Sequence, residues 1–186
     1  MPKDNKLKGK QWYTLRAPKM FGGDEIGEIP ASTEEAVKGR VVESGATDLH
    51  RGSKKYYFKI KMRVNEVDGK TCKSKFIGHD CSRDYLTRIV RKRSKRVDEV
   101  TRVKTKDDVV IRVKTICATI KPIGASTQTS IRKKIDEVLK EEASKKNIDA
   151  FVKDMLMNKL QGRIKKEVDK IYPLREIEIR KTEVVE

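Results

Sequence analysis

The sequence predicts an α+β fold, a small and mostly antiparallel β-barrel body with a basic helix and C-terminal helices. In the segment 40–120, apolar and polar residues alternate with the period of two that is typical of strands. Short turn sequences separate these runs, and after residue 127 the apolar spacing becomes that of amphipathic helices. Five or six strands joined by short turns favour a small barrel or a strongly curled sheet.

The N-terminal part of the chain carries little regular pattern. Residues 1–11 are polar and basic, which predicts a flexible arm. Trp12, Tyr13 and Leu15 are large and apolar, so we expect them to be buried. The segment 21–30, FGGDEIGEIP, has the Gly and Pro content of a loop.

A short helix is predicted before the first strand. Ser32 and Glu35 have the spacing of a capping box, and Gly39 follows as a helix stop. These residues predict a helix of one or two turns. Val41 and Val42 then open a strand.

A long amphipathic strand is predicted over 56–67, followed by a hairpin. Asp68-Gly69 is a two-residue hairpin signal, and residues 70–78 return antiparallel. One face of the long strand is therefore core and the other is basic. The core face carries Phe58, Ile60, Met62 and Val64, and the polar face carries Lys59, Lys61, Arg63 and Asn65.

The centre of the chain is predicted to contain a basic helix and a second hairpin. Ser82 is a candidate N-cap for a helix that runs to Val90 and ends in the run RKRSKR, residues 91–96. Strands are predicted over 97–105 and 109–120, with a turn between them.

The last third of the chain is predicted to be helical. Residues 121–127 have linker composition, and Ser130 is a candidate cap for the first helix. A second helix follows Asp149, and Pro173 stops a third. Residues 175–181 alternate again, which predicts a final strand that returns to the sheet.

We divide the chain into three regions on this basis. We expect residues 1–20 to form a basic N-terminal arm, residues 21–125 to form the β-barrel body, and residues 126–186 to form a C-terminal helical region with a final strand.

The charge of the chain indicates an anionic partner. Its 186 residues include 45 Lys and Arg but only 28 Asp and Glu, a net charge of +17. The net charge is +1 over residues 1–53, +11 over 54–104 and +5 over 105–186. Adaptation to heat raises both signs together, which fits the last segment better than the middle one. The middle segment is therefore the predicted binding surface.

Several functional classes are excluded by composition. No stretch approaches the roughly 20 apolar residues of a membrane-spanning helix, and mean hydropathy is −0.71. The N-terminus has basic residues but no apolar segment behind them, so we do not expect a secretory signal. Cys72, Cys81 and Cys117 are odd in number and widely spaced, which is typical of reduced cytosolic thiols.

The adjacent residues His79, Asp80 and Cys81 do not form a convincing reactive site. Neighbours in an extended chain point to opposite faces, so they rarely meet at one atom. His50 is the only other histidine, and no metal-ligand spacing is present. We expect no metal, no cofactor and no catalysis, with Asp80 and Ser82 in a turn and cap and His79 packed beside them.

The basic surface is the feature that carries a function. Lys and Arg residues on the first hairpin and on the basic helix would form a continuous cationic groove if both elements share a face. Such a surface binds nucleic acid by releasing counterions from phosphates. The predicted RNA-binding residues are Lys59, Lys61, Arg63, Lys73, Lys75, Arg83, Arg88, Arg91, Lys92, Arg93, Lys95 and Arg96.

Aromatic residues interleave this surface. Tyr57 falls on the opposite strand face from Phe58, so it is a candidate for stacking on a base. For the run 91–96, a nuclear-localisation signal or an anionic-membrane patch is the competing interpretation. No helix with bulky apolar anchors accompanies the run, which weakens the membrane alternative.

Four segments together resemble a known family. They are APKMFGGDEIGEIPAS (17–32), KFIGHDCSRDYLTRIVRKRSKRVD (75–98), QTSIRKKI (128–135) and KIYPLREIEIRKTEV (170–184). In order and spacing they resemble the eS1, or S3Ae, family of archaeal and eukaryotic small-ribosomal-subunit proteins. The similarity runs from about Trp12 to the C-terminus, and the compact chain is more like an archaeal member.

The resemblance implies a cytoplasmic ribosomal protein that binds small-subunit ribosomal RNA and neighbouring ribosomal proteins and takes part in translation. It implies a place on the subunit platform near the messenger exit, where messenger RNA is a further candidate partner. The resemblance implies no catalytic residues for this chain, because the family has none. The motif FIGHD (76–80) and the arginine-rich helix (83–96) are implied to face RNA. Cys81 and Cys117 depart from the family pattern, and we expect them to be small buried hydrophobes.

Two rival functions stay open at this point. A stand-alone regulatory protein that binds single-stranded RNA would use the same barrel. An RNA-modifying enzyme would place His79 and Asp80 in its site.

Overall fold

The computed structural model describes residues 9–49 and 55–185 of the chain. Within these ranges the fold is mixed α/β, with eight strands and five α-helices. The strands are β1 Gln11–Arg16, β2 Glu25–Ala31, β3 Val41–Gly45, β4 Phe58–Asp68, β5 Thr71–Cys81, β6 Arg96–Lys104, β7 Val110–Thr119 and β8 Leu174–Val185. The helices are α1 Ala46–Leu49, α2 Arg83–Ile89, α3 Ala125–Lys145, α4 Ile148–Leu156 and α5 Lys159–Asp169.

The chain forms two compact units, and the boundary lies within β5. Unit 1 ends at Ile77 and unit 2 begins at Gly78. The division into regions 1–20, 21–125 and 126–186 stays a prediction.

Unit 1 contains two strand pairs and the beginning of β5. β1 is antiparallel to β2 and parallel to β5, whereas β3 is antiparallel to β4, and β4 also pairs with β5. Its core includes Tyr13, Leu15, Val37, Val64 and Cys72. The predicted core face of β4 is confirmed, because all four of its apolar residues up to Val64 are buried.

Two expectations for the N-terminal segment are wrong. The segment 21–30 was expected to be a loop, but residues 25–31 form β2 along β1. Among the described strands β2 has β1 as its single partner, and Pro30 is tolerated because an edge strand has a free side. Trp12 is 52% exposed, although Tyr13 and Leu15 are buried as expected.

The predicted helix after β2 is also wrong. Residues 32–39 form bends and turns in which the amides of Val37 and Lys38 both donate to the carbonyl of Glu34. Thr33 rather than Ser32 accepts the side-chain bond, from the amide of Ala36 at 3.4 Å. The bond from Lys38 to Glu34 has the spacing of an α-helical hydrogen bond, but no further bond of this kind follows it. Forming a first helical turn costs free energy that only further turns or packing can offset.

The turn between β4 and β5 is confirmed as a tight connection. β4 ends at Asp68 and β5 begins at Thr71. Gly69 has φ +56°, a conformation that favours glycine. The two connecting residues are thus 69–70, one position later than expected.

In unit 2 the end of β5, then β8, β7 and β6 lie side by side, and each pair is antiparallel. The predicted final strand is therefore confirmed, and it lies between β5 and β7. Gly78 pairs with Glu183, and a Cβ atom built on Gly78 would lie only 2.2 Å from the carbonyl oxygen of Thr182. Only glycine permits this close approach of β5 and β8.

The C-terminal helices are confirmed, with one boundary shifted. α3 begins at Ala125 instead of Ser130, whose hydroxyl donates within the helix to the carbonyl of Ser126. α3 packs on β6, and α5 packs on β8. The side chain of Arg132 donates to the carbonyl of Asp98 at 3.1 Å, which ties α3 to β6.

An ion-pair cluster around the buried Glu142 joins the three C-terminal helices. Glu142 of α3 is 1% exposed, accepts a hydrogen bond from Lys146 at 2.6 Å and forms an ion pair with Arg163 of α5 at 2.6 Å. Lys146 also contacts Asp154 of α4 at 2.7 Å. Two cations thus compensate the buried carboxylate, and losing both would leave its charge unpaired.

The mixed, mostly antiparallel architecture is confirmed, whereas closure into a barrel is not. Among the described strands, β2, β3 and β6 each have a single partner, and no pairing closes the sheet.

We predict opposite outcomes for two neighbouring residues of β4. Ile60 is fully buried, so Ile60→Asp should lower the free energy of unfolding by about 4 kcal/mol or more through an unpaired buried carboxylate. Lys61 forms a partly exposed pair with Glu43, so Lys61→Ala should cost less than about 1 kcal/mol. Urea denaturation measures both, and equal losses would mean that the strand faces are reversed.

We predict that Gly78→Ala lowers the free energy of unfolding by about 3 kcal/mol, because the new methyl group overpacks against β8. The matched control is Gly162→Ala in α5, where a Cβ meets no atom within 4 Å. This control should gain up to about 1 kcal/mol from helix propensity. Thermal melts of both variants test the contact, and a stable Gly78→Ala variant would contradict it.

Candidate nucleic-acid interface

Helix α2 leads into the basic run of unit 2. Ile89 is buried against Ile116 and Ala118, with Leu86 packed beside them. The hydroxyl of Tyr85 donates to Glu176 of β8 at 3.0 Å. These contacts fix α2 on the sheet of unit 2.

The predicted continuation of this helix through residues 91–96 is wrong. α2 ends at Ile89, and Val90 is extended, with φ −93° and ψ 110°. The amide and the hydroxyl of Ser94 both donate to the carbonyl of Arg91, at 3.2 and 2.6 Å. Arg93 has φ +65°, which a helix does not contain. We call residues 91–95 the cationic turn.

Thr119, at the end of β7, anchors the cationic turn. Its amide donates to the carbonyl of Lys95 at 3.0 Å, and its hydroxyl oxygen accepts from the amide of Lys95 at 3.0 Å. The same hydroxyl donates to the carbonyl of Lys121 at 2.6 Å. Since α2 precedes the turn and Thr119 holds its end, the backbone of the turn is fixed on both sides.

The side chains of the turn project into solvent. Four of its five residues, Arg91, Lys92, Arg93 and Lys95, are exposed, and within residues 9–49 and 55–185 none of the four forms an ion pair. Arg96 differs, because its guanidinium binds both carboxylate oxygens of Asp98, at 2.8 and 3.1 Å. The turn therefore concentrates unneutralised positive charge.

Many other cations of unit 2 are neutralised by nearby carboxylates. On α3, Lys134, Lys140 and Lys145 each pair with an acidic residue three or four positions away. Glu183 of β8 forms ion pairs both with Lys181 of the same strand and with Lys114 of the neighbouring strand β7. Many cations of the C-terminal third are thus neutralised one by one within the fold, and its net charge of +5 remains on isolated lysines and arginines rather than on one cluster.

The predicted cations of unit 1 lie on β4 and β5. Lys61 pairs with Glu43 at 3.1 Å. Hydrogen bonding to Asp68, and then to Glu66, raises the pKa of Lys73. Lys59 and Lys75 are exposed and have no ion pair in the described part of the chain. A continuous groove from these residues to Arg83, Arg88 and the cationic turn stays a prediction.

Tyr57 is less accessible than its neighbour. It is half-buried, and its ring packs edge-on against Tyr56 at 5.4 Å and Phe58 at 5.1 Å between centroids. Tyr56 is 71% exposed. Base stacking by Tyr57 stays a prediction, and Tyr56 presents more of its ring to solvent.

His79 has a structural role. It is fully buried, its Nε2 donates to the carbonyl of Ile179 at 2.9 Å, and its Nδ1 accepts from the hydroxyl of Thr182 at 2.7 Å. Both ring nitrogens are engaged, so neither is available to a substrate. Phe76 and Gly78 are buried as well, whereas Ile77 and Asp80 are half-buried, so the implied RNA-facing role of the FIGHD motif stays a prediction.

The cysteines are small buried hydrophobes, as expected. Cys72, Cys81 and Cys117 are free thiols, and all three are buried. Burial raises the pKa of Cys117 to about 12, which keeps it protonated and unreactive. In the described residues no group of three acidic, His or Cys side chains is arranged to hold a metal ion.

Comparison with known proteins decides the family. The profile of the ribosomal S3Ae family matches residues 2–186. The chain belongs to the ribosomal S3Ae family. The predicted resemblance is thereby confirmed, and so is the expectation that the chain is not an enzyme, since the S3Ae family is one of ribosomal proteins.

Archaeal relatives cover almost the whole chain. The small ribosomal subunit protein eS1 of Methanopyrus kandleri is 40% identical over 98% of this chain and 88% of its own length. The eS1 proteins of Sulfurisphaera tokodaii and Methanothrix thermoacetophila are 38% and 36% identical, over 97% and 98% of this chain and 94% and 87% of their own lengths. The S3Ae similarity therefore extends over both units.

Sequence reasoning missed the residues that fix the cationic turn. Ser94 was a weak indication of a turn within the basic run, because serine is common in turns. Nothing local indicated the role of Thr119, since its contact with Lys95 joins residues 24 positions apart.

We predict that Thr119→Val weakens RNA binding several-fold without changing any charge. The substitution removes the hydroxyl and leaves the amide of Lys95 without its side-chain acceptor. The free energy of unfolding should fall by about 1 kcal/mol. Filter binding at several salt concentrations should show weaker binding with an unchanged salt slope, and unchanged affinity would mean that the anchor is irrelevant to binding.

Proposed function

We propose that this protein is a structural constituent of the small ribosomal subunit that binds ribosomal RNA through the cationic turn. The observation that carries the proposal is the fixed backbone of residues 91–95 with four exposed, unneutralised cations. Membership of the S3Ae family and the names of the archaeal relatives support the ribosomal assignment.

The mechanism is phosphate neutralisation. Lys and Arg side chains that approach the RNA backbone release condensed counterions, which gives affinity without sequence preference. Because the turn is already folded, few backbone degrees of freedom are lost on binding. Arg83 and Arg88 on α2 are both exposed and extend the contact, and Lys59 and Lys75 of unit 1 supply further phosphate contacts.

The partners are small-subunit ribosomal RNA and neighbouring ribosomal proteins, and messenger RNA near the exit site is a further partner. The protein acts in translation on the cytoplasmic ribosome. No helix of the described residues is long and apolar enough to cross a membrane.

We predict that replacing Arg91, Lys92 and Arg93 together by Ala weakens binding to small-subunit ribosomal RNA uniformly across its sequences. The slope of log affinity against log salt should become shallower by about one for each lost phosphate contact. Filter binding between low and physiological salt measures both effects.

The matched control replaces Lys133, Lys153 and Lys166, which are exposed lysines of α3, α4 and α5 without an ion pair in the described chain. The charge change is identical, so only a local contact separates the two triple variants. If both triple variants lost the same RNA affinity, the effect would come from net charge alone, which would contradict binding by the cationic turn.

Sedimentation separates this function from a stand-alone RNA-binding role. The tagged full-length protein should co-sediment with small subunits in its native host. A regulatory protein that binds single-stranded RNA alone would remain in the light fractions.

A further inference from the structure

One face of β1 carries an exposed aromatic ring and a cation. Along this strand Tyr13 and Leu15 are buried, whereas Trp12 and Arg16 point to the other face and are exposed. Trp12 is the only tryptophan of the chain. An exposed tryptophan does not contribute to the stability of the fold as a buried one would. Exposed aromatic side chains are instead typical of binding surfaces.

A cleft in unit 1 begins at the end of the same strand. Its volume is about 550 Å³, and its lining includes Arg16, Lys19, Asn65, Lys73 and Lys75. Clefts of roughly 300–1,000 Å³ are the size that small ligands occupy. This cleft has room for a single nucleotide rather than for a duplex.

Like charges are held side by side at this cleft. Arg16 of β1 and Lys73 of β5 are register partners, so both side chains leave the same face of the sheet. The hydroxyl of Ser74 donates to the carbonyl of Arg16 at 2.6 Å and fixes this arrangement. Like charges in register repel one another, and nearby carboxylates offset this repulsion at both side chains.

Carboxylates neutralise only part of the cleft. Glu25 contacts Arg16 at 3.4 Å, and Lys73 is paired with both Asp68 at 2.9 Å and Glu66 at 3.3 Å. Lys19 and Lys75 have no ion pair within the described residues, and both are exposed. The cleft therefore retains positive charge at Lys19 and Lys75, and Asn65 adds a side-chain amide that can donate and accept to the lining.

We propose that this face of unit 1 binds single-stranded RNA, with one base stacked on Trp12 and the phosphate of a nearby nucleotide in the cleft between Lys19 and Lys75. Trp12 and Arg16 are four residues apart on one strand, or about 13 Å, which a short stretch of single strand spans. A cationic groove beside an exposed aromatic ring is the arrangement that single-stranded nucleic acid requires. The proposal rests on the RNA-binding function proposed above and specifies a second RNA site.

Single-stranded RNA fits better than a duplex for a geometric reason. In a duplex both faces of each base are stacked, so an indole ring has no base face to contact. Only an unpaired nucleotide presents a free face to Trp12.

The test measures binding of a fluorescently labelled unpaired hexanucleotide and of a labelled blunt-ended RNA duplex to the full chain by anisotropy. Trp12→Ala and the double variant Lys19→Ala/Lys75→Ala should each weaken hexanucleotide binding about tenfold and leave duplex binding within twofold. Trp12→Phe should retain most of the affinity, since a phenyl ring also stacks. In the unmodified protein, binding of the hexanucleotide should quench the fluorescence of Trp12, the single tryptophan.

The matched control is Lys10→Ala/Lys38→Ala, which removes two exposed lysines of unit 1 that do not line the cleft. It should change hexanucleotide affinity by less than twofold. Equal losses of hexanucleotide affinity for this control, equal losses of duplex affinity for the Trp12 and cleft variants, or unchanged hexanucleotide affinity of Trp12→Ala would overturn the proposal. Quenching by a nucleoside monophosphate at the same concentration would also overturn it, because the site would then bind a free nucleotide.

Failure of the single-strand site can be told apart from failure of the proposed function, because different variants and different RNAs test them. The triple variant of the cationic turn changes unit 2 and is read on ribosomal RNA, whereas the Trp12 and lysine variants change unit 1 and are read on the hexanucleotide.

Discussion

The pairing of the last strand with β5 and β7 is the constraint on which unit 2 depends. At Gly78 the backbones of β5 and β8 approach so closely that no side chain fits, and His79 is bonded to β8 through both ring nitrogens. α5 packs on β8, and Tyr85 bonds α2 to it through Glu176. Since α2 and β7 hold the two ends of the cationic turn, the position of the cations proposed to bind RNA follows from this strand.

The fold sorts its charges into two groups. In the C-terminal helices, many cations lie three or four residues from a carboxylate or pair with the buried Glu142, although isolated lysines such as Lys133, Lys153 and Lys166 have no ion pair in the described chain. Such pairs stabilise helices modestly and cancel the local field. In the cationic turn the chain reverses direction within four residues, and its four exposed cations have no ion pair within the described ranges. The turn therefore groups on one short segment cations that occur singly elsewhere.

Much of the fold follows from local pattern, and the remainder depends on distant contacts. The alternation of β4 and the helical spacing after residue 127 predicted elements that the structure confirms. β2 was missed because Gly27 and Pro30 are typical of loops, and pairing with β1 overrides that preference. The basic run was assigned to a helix because arginine and lysine favour helices, yet Ser94 and Thr119 select a turn. The exposure of Trp12 had no local signal, since neighbouring strands decide which face is covered.

The most direct test of the central claim is cross-linking of RNA to protein in the assembled small subunit, followed by mass spectrometry of the RNA-linked peptides. The account predicts that peptides containing residues 88–96 carry cross-linked ribosomal RNA and that ion-paired segments of α3 do not. RNA linked to the C-terminal helices, with the cationic turn unlabelled, would contradict it.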